Sequence, residues 1–248
     1  MARLPVTCTI IAQNERDRIG RTIESVRDLA TEVLVVDSGS SDGTQDYCRS
    51  LGARVIENPW PGFGPQKRFA EDNASHDWIL NLDADEWLSE ELRAEFAALL
   101  EAGAPAAKTW RMRMTLVHPH RERPHVFADY HDYVRFYDRR AARFPESLTH
   151  DEVRPLPGSP QFRAPAYHQS FRSFDHLVRK ELDYYRQQKR ELKKSRLALA
   201  LRLPFEFPLQ FVKYYFGRGH VFGGVYGWQL ATVLAFMRWL RLVILMGR

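Results

Sequence analysis

Apolar positions in the first hundred residues form short β-branched runs that alternate with stretches of helical periodicity. Residues 6–12 make the first run, and residues 18–30 follow with Ile19, Ile23, Val26 and Ala30 on one helical face. A continuous apolar run at 32–36, bounded by Asp37-Ser38-Gly39-Ser40, fits a strand covered on both faces. Residues 44–51, closed by Gly52, predict a short helix, and residues 54–57 a third strand. The run Asn58-Pro59-Trp60-Pro61-Gly62-Phe63-Gly64-Pro65 reads as a stiff aromatic loop. A helix over 66–74 leads to a strand at 78–82, and Ser89 caps a helix over 90–100 with acids in its first turn. Further strands are expected at 109–116 and 133–137, separated by a loop bearing His and Pro. This alternation implies an α/β fold, a mostly parallel sheet with flanking helices.

From Phe171 the texture becomes helical and basic. Phe174, Leu177, Val178, Leu182 and Tyr185 recur at helical spacing, while Arg179, Lys180, Arg186, Lys189, Arg190, Lys193 and Lys194 crowd the remaining surface. Residues 197–216 are rich in Leu, Phe and Tyr and are expected to break at Pro204 and Pro208. Residues 225–246 are mostly apolar but carry Arg238 and Arg241. A spanning helix needs roughly 20 apolar residues, and the clean stretches here are shorter, so these segments read as interfacial or partner-covered rather than transmembrane. Two regions are therefore expected: an α/β domain over 1–170 and a basic, amphipathic helical extension over 171–248.

Charge sharpens that division. The net charge is +5; residues 1–170 hold 21 Lys+Arg and 26 Asp+Glu, giving −5, and residues 171–248 hold 15 and 5, giving +10. A basic third on an acidic body points to an anionic partner, a membrane surface or nucleic acid. No nucleic-acid module is recognisable, and the aromatics of 205–216 sit among Leu and Pro rather than on a base-stacking sheet, which favours the membrane. Cys8 and Cys48 lack metal-ligand spacing and read as reduced structural thiols of a cytoplasmic protein. The N-terminal apolar run follows one Arg and has no cleavage-type end, so it reads as a strand rather than a secretory leader.

Ligands of open α/β sheets bind beyond the carboxyl ends of the strands. Those ends carry Gln13-Asn14-Glu15, Asp37 and Asp83-Ala84-Asp85. Converging acids make a negative pocket that a bare phosphate avoids. A divalent cation, Mg²⁺ or Mn²⁺, resolves the conflict by taking hard oxygen ligands and bridging phosphate oxygens. The spacing of Asp83 and Asp85 sends both side chains to one side, as the period of two demands.

Four segments together resemble the ordered motifs of family 2 glycosyltransferases with the GT-A fold. They are Ile10-Ile11-Ala12-Gln13-Asn14-Glu15, Val35-Val36-Asp37-Ser38-Gly39-Ser40-Ser41-Asp42-Gly43-Thr44, Gly62-Phe63-Gly64-Pro65-Gln66-Lys67-Arg68 and Leu82-Asp83-Ala84-Asp85-Glu86. More narrowly, the chain is similar to the subgroup containing lipopolysaccharide core β-1,4-glucosyltransferases. The resemblance covers nearly the whole chain and is most specific through Asp85. It implies that Asp37 accepts hydrogen bonds from the uracil or ribose of a UDP-sugar, and that Gln13, Asn14 and Glu15 shape the nucleotide pocket. It also implies that Lys67 supplies positive charge near the diphosphate, that Asp85 ligates the metal and that Asp83 reaches the ribose or the metal. The metal would offset charge on the departing UDP. Asp42 is expected to cap the helix that begins near Thr44.

An inverting transfer also needs a carboxylate that deprotonates the acceptor hydroxyl. The family counterpart of residues 144–153 typically reads His-Glu before an apolar position, and aligning His150 places Asp151 on that acid. Asp151 is the favoured base, and Glu152, immediately after it, is the alternative. His118, His120, His125 and His131 share a loop but lack zinc-type spacing and a nearby cysteine, so they read as acceptor contacts or solvated side chains. His168, in Tyr167-His168-Gln169-Ser170, matches a position often occupied in the subgroup, near the diphosphate.

The expectation is thus a metal-dependent inverting transferase that moves a hexose, glucose first, from UDP to a lipid-linked saccharide such as a lipopolysaccharide inner core. It would sit peripherally on the inner face of the cytoplasmic membrane. Transfer to polyprenyl phosphate or another glycan acceptor shares the same donor half and is the enzymatic alternative. The non-enzymatic alternative is a basic nucleic-acid-binding module. A nucleotidyltransferase would show a Gly-rich basic N-terminal loop, which Gln13-Asn14-Glu15 is not, and a degenerate sugar-binding domain would not need Asp37, Asp83 and Asp85 together.

Overall fold

The computed structural model describes residues 3–147, 152–191 and 195–247, without the side chains at 184 and 187–191. The chain forms two compact units, Met1–Thr115 with Tyr130–His168, and Leu116–Asp129 with Gln169–Arg248.

In the first unit, β1 (Val6–Ala12) lies between β2 (Glu32–Asp37) and β4 (Trp78–Asp83), with β3 (Arg54–Glu57) outside β2, all parallel. Continuous apolar runs form β1, β2 and β4 because both sheet faces are covered. Val33 and Val35 join one core with Ile10, Leu82 and the helix α1 (Ile19–Glu24), whereas Leu34 and Val36 join the other with Ile79 and Ala70. That split is the period of two of a strand buried on both sides. The crossovers continue with α2 (Thr44–Ser50) and α3 (Phe63–Asn73). Beyond β4 come β5 (Glu86–Leu88), α4 (Glu90–Glu101), β6 (Thr109–Leu116), β7 (Tyr130–Asp138) and β8 (Ala166–His168). The pairs β4–β7, β6–β7 and β5–β8 are antiparallel, completing an eight-stranded mixed sheet in the order β3-β2-β1-β4-β7-β6-β8-β5. This is the expected α/β fold of the GT-A class, with an antiparallel half that the alternation of the first hundred residues did not announce.

Local chemistry explains where element boundaries moved. Helix α1 ends at Glu24 rather than near residue 30. Ser25 donates its hydroxyl to the Thr22 carbonyl at 2.8 Å and accepts from the Leu88 amide at 3.2 Å, a side-chain competition that turns the chain. Helix α3 starts at Phe63, inside the expected loop, because Pro65 falls in its first turn, where no amide is needed. Gly64 is required there: a Cβ would lie 2.2 Å from the Pro145 carbonyl oxygen. Ser89 caps α4 as expected, accepting from the Leu92 amide at 3.1 Å. Cys8 and Cys48 are buried free thiols, as expected.

The second unit contains α5 (Phe174–Glu191), α6 (Arg196–Val212), a π-helical turn (Lys213–Gly217), a 3₁₀ turn (His220–Gly223) and α7 (Gly224–Met246). Its small core centres on Phe171, Leu177 and Leu230. The segment Leu116–Asp129, which its sequence position assigned to the first region, packs with this unit. One further expectation is corrected. Helix α6 runs through Pro204 and Pro208 without breaking. The carbonyls left without a donor, those of Ala200 and Pro204, belong to exposed residues that water can reach. The stretch His220–Met246, a 3₁₀ turn followed by α7, is 27 residues long and apolar enough to cross a membrane by length and composition, and it carries Arg238 and Arg241.

Candidate active site

The carboxyl ends of β1 and β2 are stitched into one surface by short polar residues. Asn14 adopts a left-handed backbone (φ 56°). Its amide donates to Ser40 Oγ at 2.8 Å, and its Oδ1 accepts from the Ser41 amide at 2.9 Å. Gln13 Nε2 donates to the Ser38 carbonyl at 3.3 Å, and the Glu15 amide donates to Thr44 Oγ1 at 2.9 Å. Asp37 is fully buried. Its Oδ1 accepts from the Gly39 amide (3.0 Å), the Ser40 amide (2.8 Å) and Gln45 Nε2 (2.7 Å), and its Oδ2 accepts from Ser40 Oγ (2.5 Å). Asp37 therefore organises its own loop, a role that its strand-end position did not reveal. Asp42 precedes the cap residue Gly43 and accepts from the Thr44 amide at 3.0 Å.

The third strand end differs from the sequence picture. Asp83 is the last residue of β4, but Ala84 and Asp85 form a tight turn into β5, pinned where Thr22 donates to the Ala84 carbonyl at 3.0 Å. Period-two geometry stops at Asp83, so the two aspartates meet different partners. Lys67 Nζ lies 2.8 Å from Asp83 Oδ1 and Arg135 Nη2 lies 3.0 Å from Asp83 Oδ2. Asp85 Oδ2 is 3.2 Å from Arg18 Nη1, and its Oδ1 is 3.5 Å from His168 Nε2. Arg135 also binds Glu86 and donates to Asn81 Oδ1 at 2.9 Å, while Glu86 Oε2 accepts from the Asp83 amide at 2.9 Å. His168 reaches this cluster because β8 pairs with β5, setting it opposite Glu86.

Electrostatically, the cluster is a set of ion pairs rather than the bare negative pocket expected. Burial alone would raise the Asp83 carboxyl, but Lys67 and Arg135 hold it far below the usual carboxylate range. Burial likewise opposes ionisation of Asp85, and His168 and Arg18 overcome it. Burial raises Glu86 even with Arg135 beside it. Desolvation would lower the His168 imidazole, but Asp85 raises it. An open cleft adjoins the cluster. Asp83, Glu86, Arg111, Asp132, Arg135, Glu152 and His168 line it. Glu152 is held there by a bridge between Val153 and Val134 of β7. Asp151, the other expected base, lies outside the described residues.

The structure thus gathers Lys67, Asp83, Asp85 and Glu152 in one region, and gathers Gln13, Asn14, Glu15 and Asp37 in the adjoining β1–β2 loops. Arg18, Glu86 and Arg135 escaped the sequence reading. One signal was available: Tyr133-Val134-Arg135-Phe136-Tyr137 is an apolar strand with a charge at its centre, and a buried charge needs a partner.

Comparison with known proteins bears on the family. An uncharacterized glycosyltransferase of Rickettsia bellii (strain RML369-C) is 35% identical over 248 residues, covering 96% of this chain and 84% of the relative. The lipopolysaccharide core biosynthesis glycosyltransferase LpsC of Rhizobium meliloti (strain 1021) is 40% identical over 105 residues, 40% of this chain and 38% of the relative. Among solved structures, S. aureus TarS 1-349 is similar over 72% of this chain and 65% of that one, at 15% identity and a TM-score of 0.46. The model of glycosyl transferase family 2 matches residues 7–155, and the chain belongs to that family.

Proposed function

We propose that this transferase moves a hexose, glucose first, from a UDP-sugar to a lipid-linked saccharide such as a lipopolysaccharide inner core, with inversion, at the cytoplasmic face of a membrane. The observation that carries the reading is the strand-end cluster: two ionised aspartates with cations around them, next to a cleft that also holds a carboxylate, Glu152. Similarity to LpsC over part of the chain supports the choice of acceptor.

Within the strand-end cluster, Asp85 and His168 fit a divalent metal. Asp85 Oδ1 and His168 Nε2 face each other across 3.5 Å, and both side chains are partly exposed. A carboxylate with an imidazole suits Mn²⁺ better than Mg²⁺. When bound, the metal offsets charge on the departing UDP. Lys67 and Arg135 keep Asp83 ionised for a ribose hydroxyl or the metal. Asp37 shapes the Gly39–Ser40 turn against the nucleoside, and its Oδ2 has a lone pair beyond the bond from Ser40. Gln13, Asn14 and Glu15 hold the adjoining loop, and Glu152 or Asp151 takes the proton of the acceptor hydroxyl.

Purified chain given UDP-glucose and Mn²⁺ is expected to release UDP, more slowly with Mg²⁺ and not at all with EDTA. Asp85→Asn should lower turnover about 10²-fold. Failure of every UDP-sugar to bind or hydrolyse with either metal, together with retention on heparin at physiological salt, would sink the reading.

Membrane association rests on the second unit. Leu197, Leu201, Phe205, Leu209, Val212 and Phe216 follow helical spacing along α6 and the π-helical turn, and each is more than half exposed. An apolar stripe of that extent marks a binding surface. The +10 charge of residues 171–248 suits anionic head groups, so the stripe faces the membrane interface. Sedimentation with anionic vesicles should weaken in high salt without vanishing, and Leu201→Asp with Phe205→Asp should abolish most of it while leaving circular dichroism unchanged. Full solubility with no vesicle binding at low salt would contradict this placement.

A further inference from the structure

Three buried imidazoles converge in the second unit. His118 and His125 come from the Leu116–Asp129 segment, and His220 opens the 3₁₀ turn, 95 positions beyond His125. One ligand nitrogen from each lies within 4.8 Å of the other two. His118 and His220 are 1% exposed and His125 is 7% exposed.

Buried polar atoms normally have hydrogen-bond partners. Here both ring nitrogens of His118, Nε2 of His125 and Nδ1 of His220 have none. A purely packed aromatic cluster, with Tyr226 4.7 Å from His118 between ring centroids, would leave all four nitrogens unsatisfied. The fold nevertheless brings them together closely. A Cβ at Gly223 would lie 3.0 Å from His118 Cε1, and one at Gly227 would lie 1.9 Å from the His220 carbonyl oxygen, so the surrounding backbone is built for close approach.

We propose that His118, His125 and His220 bind a zinc ion, with water completing a tetrahedral site. Three imidazoles and no carboxylate suit zinc and not the hard Mg²⁺. The neutral imidazole is the ligating form. His125 Nδ1 lies 2.9 Å from the Val126 carbonyl oxygen; as donor there it fixes the tautomer that leaves Nε2 as ligand, the usual outer-shell arrangement of a metal-bound histidine. Zinc–nitrogen bonds of about 2.0–2.1 Å set tetrahedral nitrogens about 3.3 Å apart, so closure from the observed spacing needs shifts of about 1 Å. The ion would pin the Leu116–Asp129 loop to the turn that opens the α7 helix. It is separate from the divalent site at Asp85 and does not rest on the glycosyl-transfer reading. The sequence loop of His118, His120, His125 and His131 concealed it, because His220 is remote in the chain and His120 and His131 are not in the triad.

The test is elemental analysis of the full chain, expressed without a histidine tag and purified without chelating resin. About one zinc per chain is expected, falling to background in the His118→Asn, His125→Asn, His220→Asn triple variant and unchanged in Asp85→Asn. Cobalt-reconstituted protein should show the visible absorption of a tetrahedral nitrogen-rich site. Wild-type chain that carries no zinc and takes up none from a stoichiometric zinc solution overturns the proposal, whether or not the triple variant folds. Full zinc in a folded triple variant, or its loss in Asp85→Asn, overturns it equally.

Discussion

Glu152→Gln is expected to lower kcat for transfer about 10³-fold while leaving KM for the UDP-sugar within about threefold. Glu152 lines the cleft with Asp83 and His168, on a segment tied to β7 through Val153 and Val134. Gln keeps the size and the hydrogen-bonding capacity but cannot take a proton from the acceptor hydroxyl, so the loss belongs to chemistry rather than binding. The side chain is exposed, so the thermal midpoint should stay within about 2 °C. Slow hydrolysis of the UDP-sugar by water should fall much less than transfer. Asp151→Asn is the control and should keep kcat within about tenfold. The opposite ranking, with Asp151→Asn inactive and Glu152→Gln normal, would return the base to the residue that the sequence alignment favours.

Arg135→Met is expected to destabilise the fold by about 3–5 kcal/mol, read as a shift in the urea midpoint. Arg135 is 5% exposed and joins Asn81, Asp83 and Glu86 at the end of the sheet. Glu86 is 1% exposed, and its removal from water is tolerated because the guanidinium is beside it. Loss of the guanidinium strands that carboxylate, and the cost is that of an unpaired buried charge rather than the net worth of the pair. Glu86→Gln in the Arg135→Met background should therefore recover about half of the loss, a non-additivity that distant residues would not show. A single-variant effect below about 1 kcal/mol would mean that the cluster is better solvated than its burial implies. Activity should fall as well, because Asp83 loses one of the two cations that hold it ionised.

Features that depend on neighbours in the chain were legible from sequence. Residues 6–12, 32–36, 54–57 and 109–116 read as strands because period and β-branching are local, and Ser89 read as a cap because a cap needs only the next three residues. Asp37 and Asp83 were found because a strand end is recognisable where an apolar run meets an acid. Elements of three residues, β5 and β8, are too short to show a period, yet they bring His168 to Asp85. The breaks expected at Pro204 and Pro208 failed for a related reason: local rules assume that a lost backbone bond matters equally everywhere, and on an exposed helix water replaces it.

The sequence by itself determined the α/β alternation and the acids at the strand ends, since each follows from residue type and short-range spacing, and four ordered motifs carried the resemblance to the family. Tertiary structure alone decided which charges face each other. Lys67 and Arg135 on Asp83, Arg18 and His168 on Asp85, and His220 on His118 and His125 come from separate elements brought together by strand pairing and helix packing. Burial then gives those meetings their chemical weight. Charges and imidazoles that would be screened or hydrated on an open chain become, out of water, groups whose state depends on the few partners within about 4 Å.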